Sequence, residues 1–451
     1  MKHSYRKFAV LGMLAALALA PTLRADEAAS SSVADDQEEM RATLGNLTAQ
    51  MNDLKKWADE IPKISVNTDI RYDTQTYAAG TAATTNSAPV LFQTTALPNG
   101  KAGMSAKRIE FEVWDKISSW AKWYLQVDFA AEKIEDLGVE MDGLSLLPYV
   151  NTGSYTMDVK IGNFRQPFGI EQQTGSSSIP FSERALMYGG ANPFAGVGAY
   201  TQNFAVAKLV TERVMGIHVK QAKDFGPLAY SVAVTVANDE NDTWFNNANT
   251  AAGDNAAGID AAQANDQDPT EIARIGFDLK SFGDLTKDIL AVQFGASAMH
   301  DSLNTAFLSS SAATQSWADT AGWDAKVDVL KNWHLIGEWV GRNTFTPAAG
   351  LTKRQEGWYI TSVMEPLKWF DKDAPQIEWN TRYEGYLPDA NKIGQQVNPY
   401  ITSDNAITTG IKWSFVGKNY TSVNYTVYGY SNNFGSMAGT ELWTIQQQFN
   451  Y

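Results

Sequence analysis

Ile377-Glu378-Trp379-Asn380-Thr381-Arg382-Tyr383-Glu384 sets Ile, Trp, Thr and Tyr at odd positions and Glu, Asn, Arg and Glu at even ones. Successive side chains of a β-strand point to opposite faces, so this run is a strand with an apolar medium on one side and a polar one on the other. The pattern returns in Ile64 to Tyr72, where Ile64, Val66, Thr68, Ile70 and Tyr72 alternate with Ser65, Asn67, Asp69 and Arg71. It returns again in Ile109-Glu110-Phe111-Glu112-Val113 and in Ala121 to Phe129. A soluble sandwich also alternates in this way, so the choice of fold falls to the segments between the strands.

Those connections alternate between short and long. Short ones lie near 116–119, 149–153, 223–227, 282–288, 331–333, 366–374 and 417–420. Long ones lie near 73–103, 166–212, 238–271, 300–320, 344–355, 387–404 and 432–440, with a short turn near 131–134 as the one exception. Between them fit sixteen strands: 64–72, 104–115, 120–130, 135–147, 155–165, 213–222, 228–237, 272–281, 289–299, 321–330, 334–343, 356–365, 375–386, 405–416, 421–431 and 441–451. An even number of strands about ten residues long, with short turns on one side and long loops on the other, is the pattern of bacterial outer-membrane barrels. The predicted fold is all-β, a sixteen-stranded antiparallel transmembrane β-barrel over 63–451.

The chain ends agree with this. Trp443, Ile445, Gln447, Phe449 and Tyr451 occupy alternate positions up to the carboxylate, a closing strand with an aromatic end. Trp114, Trp120, Trp123, Trp333, Trp369, Phe370 and Trp413 lie near strand ends, where amphipathic rings sit among lipid headgroups. Upstream of the barrel, one heptad position takes Val33, Met40, Leu47, Leu54 and Ile61, and the other takes Gln37, Leu44, Met51 and Ala58. That spacing suits a coiled coil; the alternative is one amphipathic helix lying on its own domain. The expected domains are a signal peptide over 1–25, a periplasmic coiled-coil segment over 26–62 and the barrel.

Residues Lys2, Arg6 and Lys7 precede the apolar run Phe8 to Ala20, the three-part secretory pattern. Export would remove four basic groups, these three and Arg24, and take the net charge from −14 to −18. Such acidity argues against a nucleic-acid partner, which needs a basic surface to displace counterions. The absence of Cys excludes thiolate metal sites and disulfide scaffolds. No run after residue 20 approaches the roughly 20 apolar residues of a bilayer-spanning helix.

One segment, Ile161-Gly162-Asn163-Phe164-Arg165-Gln166-Pro167-Phe168-Gly169-Ile170-Glu171, followed by Pro180-Phe181-Ser182-Glu183-Arg184-Ala185-Leu186, resembles the strand-to-loop region of the phosphate-selective porin O/P family. Lys107-Arg108-Ile109-Glu110-Phe111, Thr381-Arg382-Tyr383 and Gly410-Ile411-Lys412-Trp413 extend the resemblance over residues 64–451. It implies a trimeric sixteen-stranded channel of the Gram-negative outer membrane, with loops folded into the lumen and, in some members, a coiled coil before the barrel. The implied partners are two further copies of the chain, outer-membrane lipid and lipopolysaccharide, and small hydrophilic solutes and ions. Anions such as phosphate are among those solutes.

The polar faces of the strands carry eleven basic and thirteen acidic residues, a mixed wall rather than a continuous basic ladder. An anion leaving water needs compensating charge, so the candidate constriction residues are Lys107, Arg108, Lys122, Arg165, Glu183, Arg184 and Arg382. Loop 166–212 is expected to fold inward, because Phe168, Ile170, Ile179, Phe181 and Leu186 suit packing on a wall. Loop 238–271 is acidic without EF-hand spacing and reads as solvated surface rather than a calcium site. Four His residues, His3, His218, His300 and His334, without a nucleophile motif argue against an enzyme, and no cofactor or metal is called for. The rival to a porin is a structural protein that tethers the envelope through its coiled coil.

Overall fold

The computed structural model describes residues 43–52, 62–76, 102–130, 133–146, 155–175, 178–188, 209–210, 213–238, 269–280, 290–304, 315–346, 351–371, 373–387, 404–415, 419–430 and 440–450. The chain divides into two compact units, Met1–Lys63 with Tyr451, and Ile64–Asn450. In the first, residues 43–52 are helical, and all ten are exposed, Leu44, Leu47 and Met51 among them. The rest of the heptad run, the signal peptide and Tyr451 lie outside the described residues.

The second unit is a closed barrel of sixteen strands, each paired with its neighbours in sequence and β1 with β16. The strands are β1 (Lys63–Thr76), β2 (Ala102–Lys116), β3 (Ala121–Asp128), β4 (Lys133–Asp142), β5 (Tyr155–Arg165), β6 (Arg213–Asp224), β7 (Leu228–Asn238) and β8 (Pro269–Leu279). They continue as β9 (Leu290–Asn304), β10 (Gln315–Val329), β11 (Trp333–Thr346), β12 (Leu351–Met364), β13 (Gln376–Leu387), β14 (Asp404–Ser414), β15 (Tyr420–Tyr430) and β16 (Thr440–Asn450). The ladders are antiparallel, and closure leaves no sheet edge among these strands, the condition for a sheet to span hydrocarbon.

Strand β13 shows how the sequence pattern becomes two surfaces. Trp379 and Tyr383 are 52% and 46% exposed, while Asn380, Arg382 and Glu384, which point to the other face, are 0%, 3% and 3% exposed. In an ordinary domain the polar set would be outside. Here the apolar side chains form the outer face and the polar ones point inward, where other parts of the chain cover them. The same division holds in β14, with Ile407, Ile411 and Trp413 outward and Thr408 and Lys412 inward, and in β16, with Trp443 and Ile445 outward and Thr444, Gln446 and Gln448 inward. Gln447, which interrupts the apolar face of β16, accepts a hydrogen bond from the Thr421 hydroxyl and donates to the Tyr420 carbonyl at 3.1 Å.

Three sequence expectations are corrected. The connection read as 300–320 shrinks to 305–314, because β9 and β10 stay paired out to Asn304 and Gln315. The connection read as 344–355 shrinks to four residues, 347–350, because β11 and β12 stay paired out to Thr346 and Leu351. Hydropathy falls before the ladder does: Thr344, Thr346 and Thr352 favour a strand without an apolar face, and paired backbone groups need none. Trp114, expected among headgroups, has Tyr124 as its cross-strand partner and lines the barrel interior with its even-numbered neighbours. Trp120, Trp369, Phe370 and Trp413 are exposed, as a rim position requires.

Candidate functional site

The chain leaves β5 at Arg165 and turns into the barrel. Gln166 and Phe168 are fully buried, and Gln172, Ile179, Phe181, Leu186, Met187 and Tyr188 follow at 4% exposure or less. Polar backbone buried this deeply must find partners, so each hydrogen bond of the segment identifies what it lies against. The first turn, Ile170–Gln173, presents its leading N–H groups to β11: Ile170 N and Glu171 N both donate to Glu338 Oε1 at 2.5 Å. The other carboxylate oxygen of Glu338 accepts from Tyr188 Oη at 2.5 Å. Burial, then the adjacent Glu338 carboxylate, pushes the Tyr188 phenol well above its usual range, so it remains a donor. Gly169 precedes this turn at φ +64, and a Cβ there would meet the Tyr188 hydroxyl and the Glu338 carboxylate.

Residues 179–186 are held by the opposite arrangement, with wall side chains donating to loop carbonyls. Lys412 Nζ reaches Ile179 O at 3.2 Å, Asn380 Nδ2 reaches Pro180 O at 3.0 Å, and Lys107 Nζ donates to Ser182 O. Arg382 spans two successive carbonyls, Glu183 O at 3.2 Å and Arg184 O at 3.3 Å, with its guanidinium 4.8 Å from the Phe181 ring centroid. The N–H groups of the same stretch go to carboxylates: Ala185 N to Glu171 Oε1 at 2.7 Å and Leu186 N to Glu384 Oε2 at 2.6 Å. Further along, Arg342 donates to Leu209 O at 3.1 Å while pairing with Asp301 at 3.2 Å. Hydrogen bonds to charged groups contribute about 1.5 to 3 kcal/mol each, so this loop is fixed rather than draped.

The residues proposed from sequence fall into two clusters and two separate wall positions. Arg165 and Arg184 both donate to the carbonyl of Thr174, at 2.9 and 3.1 Å, and Arg184 also to that of Glu171. Lys107, Glu183 and Arg382 meet at the 179–186 stretch, where Glu183 also pairs with Arg71 and lies 3.2 Å from Lys107. Arg108 pairs with Glu110 at 3.3 Å and with Asp69 at 3.9 Å on the wall. Lys122 stands apart, 44% exposed and 3.2 Å from Glu140. Glu338, Asn380, Arg342 and Lys412 were not singled out, although their even positions in alternating strands marked all four as lumenal.

Space remains beside the loop, against β2 to β6. A cavity of about 420 Å³ is lined by the bases Lys122, Lys160, Lys220 and Arg165 and by the acids Glu112, Asp136, Glu140 and Asp158. Glu140 bridges Lys122 and Lys160, at 3.2 and 3.5 Å. Formal charges in the lining cancel, whereas a row of bases would select for anions. Higher on the wall, the carboxylates of Glu110, Asp128 and Glu135 bring oxygens within 4.8 Å of one another, the spacing of a cation site. Each is already engaged by the protein: Glu135 by Arg213 at 2.7 Å, Asp128 by the N–H of Ala130 at 2.9 Å, Glu110 by Asn67 at 2.9 Å.

Solved structures with a similar chain course include the outer membrane channel DcaP of Acinetobacter baumannii, at TM-score 0.49 and 10% identity over 86% of this chain and 97% of that one. Others are OprB of Pseudomonas putida, at 0.48 and 10% over 88% and 96%, and an anion-selective porin from Comamonas acidovorans, at 0.45 and 12% over 87% and 99%. No curated protein matches the chain in sequence. The sequence profile described as "Phosphate-selective porin O and P" matches residues 92–361, a span that contains β2 to β11, the loop and its Glu338 anchor. The chain belongs to the phosphate-selective porin O and P family.

Proposed function

We propose that this porin works as a passive channel for ions and small hydrophilic solutes, phosphate among them, with weak charge preference rather than a phosphate-specific path. The observation that supports this is the pairing of a clamped loop with a charge-balanced space beside it, four bases facing four acids. A narrow passage flanked by fixed charges of both signs slows large solutes and leaves small ions of either sign a partner along the wall.

The rim that carries both barrel ends also carries the short connections 117–120, 225–227, 330–332 and 415–419. Outer-membrane barrels keep their short turns in the periplasm. On that reading the N-terminal segment is periplasmic, and residues 166–175 and 178–188 enter the lumen from outside the cell. The heptad spacing that includes Leu44, Leu47 and Met51 supports copies joined through a coiled coil, and the family resemblance implies three of them.

Planar-bilayer recording of the purified protein tests the reading. Conductance in steps of three, with a reversal potential close to zero in a KCl gradient, is expected. A strongly anionic reversal potential would refute weak selectivity, and absence of conductance would refute the channel in favour of an envelope tether.

A further inference from the structure

The lumenal face of β2 to β6 is ordered in rows across the strands. The middle row runs Trp114, Tyr124, Gly138, Gly162 and Gly216, one residue on each strand. A Cβ on Gly138 would meet the Tyr124 hydroxyl and ring, so the phenol lies along the wall instead of standing in the lumen. Beyond it Gly162, at φ +132, and Gly216 place only backbone on the wall, and a Cβ on either would meet the backbone of the neighbouring strand. Three glycines abreast thus flatten the wall beside two aromatic rings. The cavity of about 420 Å³ lies over this row, lined by Trp114 and Tyr124 and by the charged rows on either side. That is the size of a pocket for a small organic solute.

The charges of the lining separate about the middle row. Toward the rim of the short connections lie three bases and two acids, with Glu140 shared by Lys122 and Lys160, and Asp158 facing Lys220 across the ladder. Toward the opposite rim lie two acids and one base, Glu112, Asp136 and Arg165. The first end therefore has one positive charge in excess, and the second one negative charge. Asp136 is held by Arg213 at 2.8 Å. Glu112 is exposed, and among the described residues its carboxylate makes no hydrogen bond or ion pair. The balanced lining is a dipole, with its charged rows four residues apart along each strand, about 13 Å.

On the channel reading above, we infer that this cavity binds a zwitterionic peptide of two or three residues in transit, its ammonium at Glu112, its carboxylate at Lys122 and Lys160, and an apolar side chain on Trp114 and Tyr124. An extended peptide of that length spans roughly 7 to 11 Å, and the long lysine side chains cover the remaining distance. A zwitterion satisfies both ends of the dipole. A lone anion satisfies one, and meets Glu140 and Asp158 among the bases. A neutral sugar would use the rings and leave both charged ends unanswered.

The test is a ligand-observed NMR titration of the full-length protein in detergent micelles with alanylphenylalanine, its N-acetyl form and its C-amide form. The zwitterion is expected to bind at least tenfold more tightly than either blocked form. Glu112→Gln should weaken the zwitterion about tenfold without weakening the N-acetyl form, and Lys122→Gln with Lys160→Gln should do so without weakening the C-amide form. Trp114→Ala should weaken all three alike. A misfolded barrel would lose every form together, so the match between altered charge and blocked end is the readout. Equal affinity for the three forms, or equal loss of all three in the Glu112→Gln protein, overturns the site. Tighter binding of inorganic phosphate than of the dipeptide overturns it as well, by showing an anion site. Bilayer conductance of the same protein reports separately on the channel: conductance without dipeptide binding overturns this inference and leaves the channel standing.

Discussion

Replacing Glu338 by Ala tests whether the loop is held by its hydrogen bonds or merely packed. The carboxylate accepts from Ile170 N, Glu171 N and Tyr188 Oη, each at 2.5 Å, and Glu338 is 2% exposed. Alanine leaves three buried donors without a partner, at a cost of about 1 to 3 kcal/mol each, or roughly 3 to 9 kcal/mol together. Water entering the space left by the side chain offsets part of this, so the low end is expected. The cost falls on the docked loop, because the barrel ladder at Glu338 is formed by backbone groups paired with Tyr359 and Asp324. At 1.4 kcal/mol per factor of ten, 3 kcal/mol raises the undocked population about 150-fold. Hydrogen exchange in a peptide spanning 168–174 should accelerate by that factor, and single-channel current noise should rise. Glu338→Gln keeps an acceptor for the two amides and should accelerate exchange tenfold or less. Unchanged exchange in the Ala variant would show that the apolar residues hold the loop by themselves.

Lys122→Glu with Lys160→Glu turns a balanced cavity lining acidic and should move the reversal potential toward that of a cation channel, with a smaller shift in 1 M KCl, where screening acts within about 3 Å. Arg165→Glu with Arg184→Glu removes both donors to the Thr174 carbonyl; it should shift selectivity in the same direction and also speed exchange over 170–175. Asp266→Asn with Asp268→Asn, outside this loop, should shift the reversal potential far less, and an equal shift would mean that selectivity is set elsewhere. Deleting residues 33–61 should leave an inserted barrel whose oligomer melts at lower temperature; unchanged size and melting would rule out a coiled coil.

Strand order, number and facing were legible because a membrane barrel imposes a period of two on every strand and hydrophobicity records it. The sequence-derived span 375–386 and the observed Gln376–Leu387 differ by one residue at each end. Connection 344–355 was misjudged where the ladder outlasts the apolar face. The inward loop was legible from Phe168, Ile179, Phe181 and Leu186, too apolar for a solvated loop and all buried. The partners of its charges were not legible. Arg165 and Arg184 have the appearance of selectivity charges, yet both spend donors on the backbone of their own loop, and Arg382 spends two more on successive loop carbonyls. Sequence records that a charge exists; which carbonyl it meets depends on how far a loop reaches across the barrel. Glu338 shows the same limit, since nothing near it in sequence signals three donors arriving from residues 170–188.

The reach of the clamped loop also orders events in time. It leaves β5, yet it is fastened by Ser297 and Glu338, by Arg382, Lys412 and Asn424, and by Arg71 and Lys107 from the start of the barrel. The Asn424 contact with Ser182 joins residues 242 positions apart. A connection of that range forms only after the strands between have been laid down. A half-assembled wall therefore holds this segment by few of its fasteners, and the nascent pore passes through a wide-open stage before it narrows. Insertion and narrowing are then separable steps, so a chain defective only in fastening should reach the membrane in normal amount and reveal its fault as a leak.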